Sequence, residues 1–576
     1  MATTSLITSV RAPADAATSR RLSHAWVPRT AAVACFAIGL LDLASALTRV
    51  ASSRLHELRT YVPGGVSRVS TAGTLMIGLL LVMLAHGLRR RKRRAHALIL
   101  GLLAISVGLH LLKGLDVEEA AVSLLLLAAL LATRHEFYAR ADPRTRWRAV
   151  AVGVGLVLAC TVLGTAFIAL RRDALARPFS LGSAVQHVLE GLVGLTGPLQ
   201  FLPTRRGTST ADLVGDALLG LGVLCLVSTL ALLLRPATPL PRLTEQDDAR
   251  MRELLLVHGR QDSLAYFALR RDKSVIWSPT GKACVAYRVV TGVMLASGDP
   301  LGDPEAWPGA IAAFLDEADQ HAWTPGVMGC TEQGGVAWAR EGLQALEIGD
   351  EAVVEVKDFS LEGRAMRNVR QAVTRVQRAG YTTRVERVGD LCPDQAASLR
   401  ASAAAWRGAE TERGFSMAMG RFLEPVDPGC VVVMAFLEDE LAAFLHFVPW
   451  GADGLSLDLM RRDRNAANGL NELLITTALT AAPSLGVARL SLNFAVFRSA
   501  LERGERLGAG PVLRAWRAVL IFASRWFQIE SLYRFNAKFR PVWEPRYVCF
   551  ATARDLPRVA LAALQAEAFI ALPRLH

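Results

Sequence analysis

The sequence lacks the short motifs that mark several large enzyme classes. It contains no G-x-x-x-x-G-K-S/T phosphate loop, no H-E-x-x-H zinc helix and no G-x-S-x-G serine elbow. Because these patterns hold phosphates, a zinc ion and a nucleophile, nucleotide hydrolysis, zinc proteolysis and the usual serine hydrolysis have no support. The nearest approach to the acetyl-CoA loop, at residues 505–510, begins with Glu505, whose charge would repel a pyrophosphate. We therefore expect no cofactor.

Cysteine is present but follows no pattern. The eight cysteines are scattered, with no C-x-x-C pair and no histidine at metal-binding spacing. Structural zinc sites need such groupings, so we expect no metal site. Three cysteines fall in apolar runs, and the others lie in a region predicted to face the reducing cytoplasm, which favours buried thiols over disulfides.

Acidic residues are outnumbered by basic ones, 52 to 65, for a formal net charge of +13. A basic protein attracts anionic lipid head groups, nucleic acid, or both. Arginine-rich loops on the cytoplasmic side of a membrane would produce the same net charge, so charge alone does not choose a partner.

Apolar residues are abundant and unevenly placed. They make up 52% of the chain, the mean hydropathy is +0.30, and the excess lies before Arg235. A helix that crosses a hydrocarbon layer of about 30 Å needs roughly 20 apolar residues. Six runs approach this length and predict a membrane domain over residues 29–234. The runs are residues 29–48, 69–88, 95–113, 118–133, 149–170 and 211–234.

The flanking charges predict the orientation of these spans. Residues 1–28 are polar and read as a tail without a cleaved signal. The basic run 89–94 lies between the second and third spans, whereas Asp116, Glu118 and Glu119 follow the third. The positive-inside rule then places both termini in the cytoplasm. We expect a multi-pass protein of the cell membrane, with an additional re-entrant or interfacial helix in the loop 171–210.

The second part of the chain reads as an α/β region. A proline-bearing linker, 235–244, is followed by alternating helical and strand-like segments. The first series covers 245–390 and the second covers 391–576, which predicts α/β architecture in two units. Predicted strands of the first series are 274–278, 283–288, 291–296, 324–329 and 335–338, and those of the second are 430–436, 441–447, 454–460 and 488–495.

Two segments of the second series carry candidate catalytic residues. Asp458 and Arg461 lie three apart at the end of a predicted strand, ahead of Asn468-Gly469. Residues 412–417 read E-R-G-F-S-M, in which Glu412 could accept a proton or hold an amine. A surface ion pair and an exposed loop glutamate are the structural alternatives.

The segment 533–547 interleaves cations with aromatic rings. Lys538 and Arg546 stand among Phe539, Trp543 and Tyr547. Such a mixture is suited to stacking the unpaired end of a tRNA or to gripping phosphates. The same residues could instead form a strand and turn, with Trp543 in a core.

A predicted helix over 361–379 carries a stripe of arginines opposite a stripe of apolar residues. The stripe could follow an RNA backbone or anionic lipid, and a plain solvated face is the alternative. Gly298 and Asp299 belong to a G-D-P-L-G turn that we expect to border a cleft. The arginines of the stripe are Arg364, Arg367, Arg370, Arg375 and Arg378.

Together, D-L-M-R with N-G, E-R-G-F-S, G-D-P-L-G and the 533–547 segment resemble the phosphatidylglycerol lysyltransferase family, also called multiple peptide resistance factors. The resemblance covers most of 245–555 and implies two tandem acetyltransferase-like (GNAT) folds behind the membrane domain. It also implies that the aminoacyl-tRNA site contains Asp458 and Arg461, the first pairing with an ammonium group and the second stabilising charge on the ester. Ala467 stands where the family often has proline.

The segments described above supply the other candidate residues. Glu412 and Lys538 join the catalytic group, and Arg546 joins the stripe in binding tRNA. The cleft is expected to be lined by Gly298, Asp299, Phe415, Ser416, Asn468 and Trp543.

The predicted function is transfer of an amino acid, lysine or alanine first, from aminoacyl-tRNA to phosphatidylglycerol in the bilayer. This would lower the negative charge of the membrane and its attraction for cationic peptides. The expected partners are aminoacyl-tRNA and lipid, and oligomers are possible. Two alternatives stay open: an acyltransferase of the same fold that uses acyl-CoA or a peptide, and a non-catalytic protein that binds or transports lipid.

Overall fold

The computed structural model comprises two compact units, a helical one and an α/β one. The helical unit lies before residue 234, and the α/β unit contains most of the chain from residue 243 onward. The residues that the structure describes are 26–47, 64–89, 91–114, 117–139, 143–170, 172, 175–195, 197–202, 210–233, 243–408, 414–496 and 529–569.

Each of the six predicted spans coincides with a helix, and the predicted additional helix is also present. Within the described residues, two stretches, Trp26–Ala44 and Ala149–Leu170, are long and apolar enough to cross a membrane. The helices are α1 (Trp26–Leu47), α2 (Gly64–Arg89), α3 (Arg93–Gly114), α4 (Val117–Ala132), α5 (Pro143–Leu170), α6 (Leu181–Leu192) and α7 (Thr210–Leu233).

Close backbone packing and a polar cluster connect the first four helices. A Cβ added to Gly39 on α1 would lie 2.7 Å from the carbonyl oxygen of Gly78 on α2, so this crossing requires glycine. His110 on α3 is fully buried, with Nε2 3.1 Å from Asp42 on α1 and Nδ1 2.9 Å from Glu119 on α4. Ionisable groups among apolar helices are costly unless they pair, so this cluster fixes which helices are neighbours.

The α/β unit is built on one twelve-stranded sheet. Its helices are α8 (Glu245–His258), α9 (Trp307–Gln320), α10 (Glu332–Arg340), α11 (Arg367–Arg378), α12 (Pro393–Arg407), α13 (Leu470–Ala481), α14 (Ile529–Ala537) and α15 (Leu556–Ala566). Its strands are β1 (Ser274–Trp277), β2 (Ala283–Val290), β3 (Val293–Ser297), β4 (Leu301–Gly302), β5 (Thr324–Cys330), β6 (Gln344–Glu355), β7 (Tyr381–Arg387), β8 (Val431–Leu437), β9 (Glu440–Trp450), β10 (Gly454–Arg462), β11 (Arg489–Val496) and β12 (Val542–Phe550).

The strand order is β1-β2-β3-β5-β12-β6-β11-β10-β9-β8-β7, with β4 beside β2. Two neighbouring pairs, β3–β5 and β10–β11, are parallel, and the other recorded pairs are antiparallel. Each half of the sheet therefore shows an antiparallel series that ends in a parallel pair. This repeat matches the two series predicted from the sequence.

The two halves exchange strands at the centre. β6, from the first series, closes the second half beside β11, and β12, from the end of the chain, closes the first half beside β5. β6 and β12 pair with each other from Val353–Val542 to Gln344–Phe550. The boundary predicted at residue 390 divides the chain in sequence, but these strands cross it in space.

Two apolar cores cover the faces of the sheet. On β9, Phe444 and Val448 belong to one core, and Leu445 and Phe447 belong to the other, because successive side chains of a strand point to opposite faces. The first core includes residues of α8 and α15, and the second packs α11 and α13.

Some local predictions were wrong. Residues 335–338, predicted as a strand, belong to α10, which begins where the Thr331 side chain accepts a hydrogen bond from the Gly334 N–H and which buries Trp338. The basic helix begins at Arg367 instead of residue 361. Strands β6 and β7 were not predicted.

A buried ion pair joins the exchanged strands. Arg546 on β12 donates through Nε to Oε2 of Glu351 on β6 at 2.9 Å and through Nη1 to Asp262 at 2.6 Å. Its Nη2 contacts Ser263 at 2.7 Å and Glu351 as well. Arg546 and Glu351 are 1% and 0% exposed, so the pair is withdrawn from water and depends on these hydrogen bonds.

Lys273 is a second buried cation. Its Nζ donates to the Phe267 carbonyl at 2.9 Å and to the Ser297 hydroxyl at 2.6 Å, and it lies 4.6 Å from the centre of the Phe415 ring. Burial lowers the pKa of Lys273 from 10.5 to about 7. The ammonium form is therefore disfavoured in the folded state near neutral pH.

Replacing Arg546 by methionine should strongly destabilise the α/β unit. Arg546→Met leaves the Glu351 and Asp262 carboxylates buried without their cation, so we expect the free energy of unfolding to fall by about 3–5 kcal/mol. The control is Arg384→Met, at an exposed ion pair with Glu386, which should cost about 0–1 kcal/mol. Urea unfolding of the full chain in detergent, followed by tryptophan fluorescence, measures both. Equal losses would contradict the central role of the pair.

Lys273 should make stability depend on pH. Between pH 7 and 10.5 the unfolded chain binds a proton at Lys273 that the folded chain does not, so stability should rise with pH across this window. Lys273→Met should remove that rise, whereas exposed Lys282→Met should keep it. Unfolding midpoints in urea at several pH values between these limits measure the slope, and an unchanged slope in Lys273→Met would refute the assignment.

Candidate functional site

Asp458 lies at an irregular point of β10. The register with β9 shifts between Leu457 and Leu459, which makes Asp458 the extra residue of a bulge. Its Oδ1 accepts a hydrogen bond from the Met419 N–H at 2.7 Å, and its Oδ2 lies 2.7 Å from His446 Nδ1. The side chain is 4% exposed. Both oxygens are thus engaged by the protein, whereas the sequence predicted a pairing with a substrate ammonium.

The parallel strands β10 and β11 separate beside Asp458. Their recorded pairs run from Gly454–Arg489 to Ser456–Ser491. Asn493, in a left-handed conformation with φ of 70°, then donates from Nδ2 to the carbonyls of Leu457 and Met417, at 3.1 Å each. The Asn493 amide thus bridges Leu457 on β10 and Met417, just beyond the point where the recorded pairing of β10 and β11 ends.

Residues 414–423, here named the strap, cover this face of the sheet. Phe415 and Ser416 are buried at its start, and the carboxylate of Glu567, just after α15, accepts hydrogen bonds from both of their N–H groups, at 2.7 and 3.0 Å. The Ser416 hydroxyl donates to the same carboxylate at 2.6 Å. Both residues therefore anchor the strap instead of lining an open cleft. Glu412, predicted to be catalytic, lies outside the described residues.

Arg461 on β10 lies on the same face of the sheet as His446 on β9, the histidine that contacts Asp458. It is opposite Phe444 on β9, and Phe444 and His446, two apart on that strand, point the same way. Arg461 is partly buried. A guanidinium on the same face as the His446–Asp458 pair is positioned to stabilise negative charge there.

A second group of predicted residues surrounds the first turn of α13. The Asn468 carbonyl accepts from Arg375 at 2.9 Å, and Gly469 caps the helix with φ of 110°. One turn later, Glu472 pairs with Lys538 at 2.7 Å. Lys538 is 41% exposed, so its ammonium remains open to solvent on one side. The structure thus brings Asn468, Lys538 and one arginine of the stripe together, with Asp458 bonded to a different set of residues.

The arginine stripe faces solvent. Arg364 precedes α11, and the other four arginines lie on it and are exposed, whereas Val369, Val373 and Val376 are buried. Arg370 also donates to the Gly363 carbonyl at 3.2 Å, which fixes the segment before the helix. An exposed cationic face over a buried apolar one is confirmed, and its partner is not defined by these contacts.

Three further predictions need correction or refinement. Arg546 is buried with its guanidinium bonded inside the protein, so it does not present a charge to tRNA. Asp299 is also buried, bonded to the Thr331 N–H at 2.8 Å and hydroxyl at 2.6 Å. The Trp543 ring on β12 lies 5.3 Å from the Tyr533 ring at a tilt of 41° and packs on the second core, which agrees with the structural alternative.

Burial determines the charge state around Asp299. Loss of solvent, followed by the charge of Asp262, raises the pKa of Asp299 to about 7. Gly298, with φ of 74°, turns the chain between β3 and this carboxylate. Asp262 and Asp299 line a small pocket together with Leu255, among others. That the turn borders a substrate cleft stays a prediction.

The sequence did not single out the partners of these residues. His446 interrupts the apolar strand run A-A-F-L-H-F-V, which was its only signal. Glu351, Asn493 and Glu567 belong to no recognisable motif. Their roles follow only from contacts with residues far away in the sequence. Among the residues described, no group of histidine, cysteine or acidic side chains is arranged to hold a metal ion.

Comparison with known proteins gives two family matches. Residues 252–550 match the family "Phosphatidylglycerol lysyltransferase, C-terminal", and residues 23–234 match "Transmembrane region of lysyl-tRNA synthetase". Two solved structures align with the chain: the C-terminal domain of a lysylphosphatidylglycerol synthetase from Agrobacterium fabrum, at 22% identity, and L-PGS from Bacillus licheniformis, at 23%. They cover 56% and 57% of this chain and 98% of each structure, both with a TM-score of 0.48.

Full-length relatives are more similar. The lysylphosphatidylglycerol biosynthesis bifunctional protein LysX of Mycolicibacterium gilvum is 40% identical over 564 residues, covering 96% of this chain and 50% of that protein. The protein of the same name from Rhodococcus opacus is 42% identical over 512 residues, covering 87% and 45%. The chain spans about half the length of these relatives. On these matches, the chain belongs to the phosphatidylglycerol lysyltransferase family.

Proposed function

We propose that this protein is a membrane aminoacyltransferase that moves an amino acid, with lysine as the first candidate, from aminoacyl-tRNA to a hydroxyl of phosphatidylglycerol. The observation that carries the proposal is the family match over residues 252–550, the region that contains Asp458. The names of the relatives, which refer to lysylphosphatidylglycerol, favour lysine over alanine.

The reaction suits a site without a cofactor. The donor already carries an activated ester, and exchange of one ester for another needs little driving force. Positioning of the two substrates and stabilisation of the charged intermediate then supply most of the rate. Arg461, on the face of β10 that carries the buried His446–Asp458 pair, is the group we assign to stabilising the oxyanion.

The large substrate needs an exposed cationic surface, and α11 offers one. The five arginines of the stripe are exposed, and Arg375 contacts the Asn468 carbonyl at the start of α13. We assign the stripe to the tRNA backbone and Lys538, beside Glu472, to the acceptor end. Arg546 is left out of this assignment because it is buried.

The architecture that we propose has six membrane spans and a cytoplasmic pair of acetyltransferase-like folds, at 245–390 and 391–576. The six spans are supported by a helix at each of the six apolar runs, two of them long and apolar enough to cross a membrane. The twofold series of antiparallel strands followed by a parallel pair supports the two folds. A bilayer anchor would keep the catalytic unit near its lipid acceptor, which raises the effective concentration of that acceptor.

Asp458→Ala should abolish transfer without preventing membrane insertion. We expect at least a 100-fold loss of the new lipid, roughly the contribution of an acid–base group. The test expresses the chain in a host that lacks aminoacylated lipids and analyses lipids by mass spectrometry, where the added mass identifies the amino acid. The control is Asp453→Ala, at a partly exposed turn before β10. Normal lipid from Asp458→Ala would remove the site assignment.

Neutralising the stripe should weaken binding of tRNA. A variant with Arg364, Arg367 and Arg378 changed to glutamine should raise the KM for aminoacyl-tRNA with little change in kcat, because the contacts are predicted to be uniform phosphate contacts. The dependence of binding on salt should also become shallower, by roughly 0.7–0.9 in log–log slope for each lost phosphate contact.

The matched control for the stripe changes three exposed arginines elsewhere, Arg271, Arg384 and Arg554, to glutamine. It has the same change in net charge. If both triple variants lose affinity equally, the effect is one of overall charge and the stripe has no special role.

A further inference from the structure

His446 is a buried histidine that the family resemblance does not assign. It lies on β9 opposite Leu459, is 3% exposed, and has Nδ1 2.7 Å from Asp458 Oδ2. The Phe422 ring, on the strap, packs edge-on against the imidazole, with centres 5.2 Å apart. The bulge at Asp458 directs the carboxylate toward the ring, since a regular strand would alternate its side chains away.

The contacts define which ring nitrogen carries the proton. An ionised carboxylate only accepts hydrogen bonds, so the neutral imidazole donates from Nδ1 to Asp458. Asp458 cannot turn away, because its other oxygen is held by the Met419 N–H at 2.7 Å. Nε2 is then left with its lone pair. Within the part of the chain that the structure describes, no protein group is hydrogen-bonded to Nε2.

This arrangement has the geometry of a general base with its orienting acid. In a histidine–aspartate pair, the carboxylate fixes the tautomer and stabilises the imidazolium that forms when Nε2 accepts a proton. The pair lies where β10 and β11 separate, and Arg461 occupies the same face of β10. A base and a cation for the oxyanion therefore occur together at the end of the sheet where the pairing of β10 with β11 stops.

We propose that His446 is the catalytic base of the transfer and that Asp458 acts through it as a positioning residue. The inference rests on the proposed function and assigns its proton path. The lipid hydroxyl oxygen attacks the aminoacyl carbonyl carbon while its proton passes to His446 Nε2. The carbonyl electrons move to the oxygen and then return, breaking the bond to the ribose oxygen of the tRNA. That oxygen takes the proton from Nε2, so the base is regenerated and a new ester replaces the old one.

Other charged groups near this face are already paired. Arg421 on the strap bonds to Asp427 at 2.7 Å, and Arg400 on α12 bonds to the Leu423 carbonyl at 3.0 Å. Asp458 and Arg461 lie on β10. The elements packed around the imidazole also carry Arg462 on β10, Glu440 on β9, and Asp394 and Arg407 on α12. The contact with Asp458 is the one that fixes its tautomer.

The experiment measures the rate of lipid aminoacylation against pH for the purified full chain in phosphatidylglycerol vesicles, with charged tRNA as the donor. The wild type should lose activity as pH falls, because a protonated imidazole cannot accept the proton of the lipid hydroxyl. His446→Gln should lower kcat by about 100-fold or more with little change in KM for tRNA, and the low-pH limb should vanish. Added imidazole should partly restore His446→Ala.

Asp458→Asn tests the pairing itself. An asparagine amide can donate to Nδ1, which moves the ring proton to Nε2 and removes the base while the shape is kept. We expect a loss as large as that in His446→Gln, and no further loss in the double variant, because the two residues act as a unit. Asp453→Asn, which makes the same chemical change at the β9–β10 turn, should keep wild-type activity and pH profile.

The possible outcomes separate the two proposals. Absence of any aminoacyl lipid from the wild type would refute the proposed function itself. Wild-type activity without a low-pH limb, or His446→Gln at the wild-type rate with the limb intact, would overturn the assignment of the base while leaving the function standing. If His446→Gln fails to fold, as judged by limited proteolysis, the wild-type profile and Asp458→Asn decide the question.

Discussion

The ion pair between Arg546 and Glu351 is the constraint on which the α/β unit depends. β6 and β12 each close a half-sheet that is built mainly by the other part of the chain. The two strands pair with each other, and the Arg546–Glu351 ion pair joins their side chains. A buried arginine is tolerated only when its donors are satisfied, which Glu351, Asp262 and Ser263 do here. Neither half can form its central strand pairing without bringing the other into register.

The same carboxylate leads to the candidate site. Glu351 also accepts from the Ser491 hydroxyl, which in turn accepts from the Asn493 N–H at 3.1 Å. The Asn493 side chain donates hydrogen bonds to the carbonyl of Leu457, the residue before Asp458, and to the carbonyl of Met417 in the strap. A chain of hydrogen bonds thus connects the centre of the sheet with the bulge of β10. The position of Asp458 beside His446 is therefore connected to the strand exchange through Glu351, Ser491 and Asn493.

The sequence was sufficient for features that depend on local pattern. Apolar length located the six helices, and the spacing of Val369, Val373 and Val376 located α11 and its exposed arginines. The sequence was not sufficient where the role of a residue depends on partners far away in the chain. Arg546 reads as one cation among aromatics, and only pairing with Glu351, far away in sequence, makes it a core residue. For the same reason Phe415 and Ser416 read as a cleft segment until Glu567 is seen to hold them.

His446 and Asp458 illustrate the division more sharply. The D-L-M-R motif drew attention to Asp458, and the role expected for its carboxylate was to pair with a substrate ammonium. The strand bulge that turns this carboxylate toward His446 has no sequence signature. The histidine lies on the preceding strand, in a run that otherwise reads as core. Short motifs mark a position along the chain, whereas hydrogen bonds across β9 and β10 decide its chemistry.

The polar groups of the candidate site fall into two classes, exposed and buried, that suit different tasks. The exposed groups, namely the arginine stripe and Lys538, are screened by water and salt, which suits reversible contact with a long polyanion. The buried groups, His446 and Asp458, are held by fixed partners in a low-dielectric setting, where a proton transfer needs little solvent reorganisation. The proposed transfer between a soluble RNA and a lipid needs both kinds of site. Because the arginine stripe lies on and before α11 and His446 lies on β9, the proposed binding surface can change without disturbing the proposed proton path.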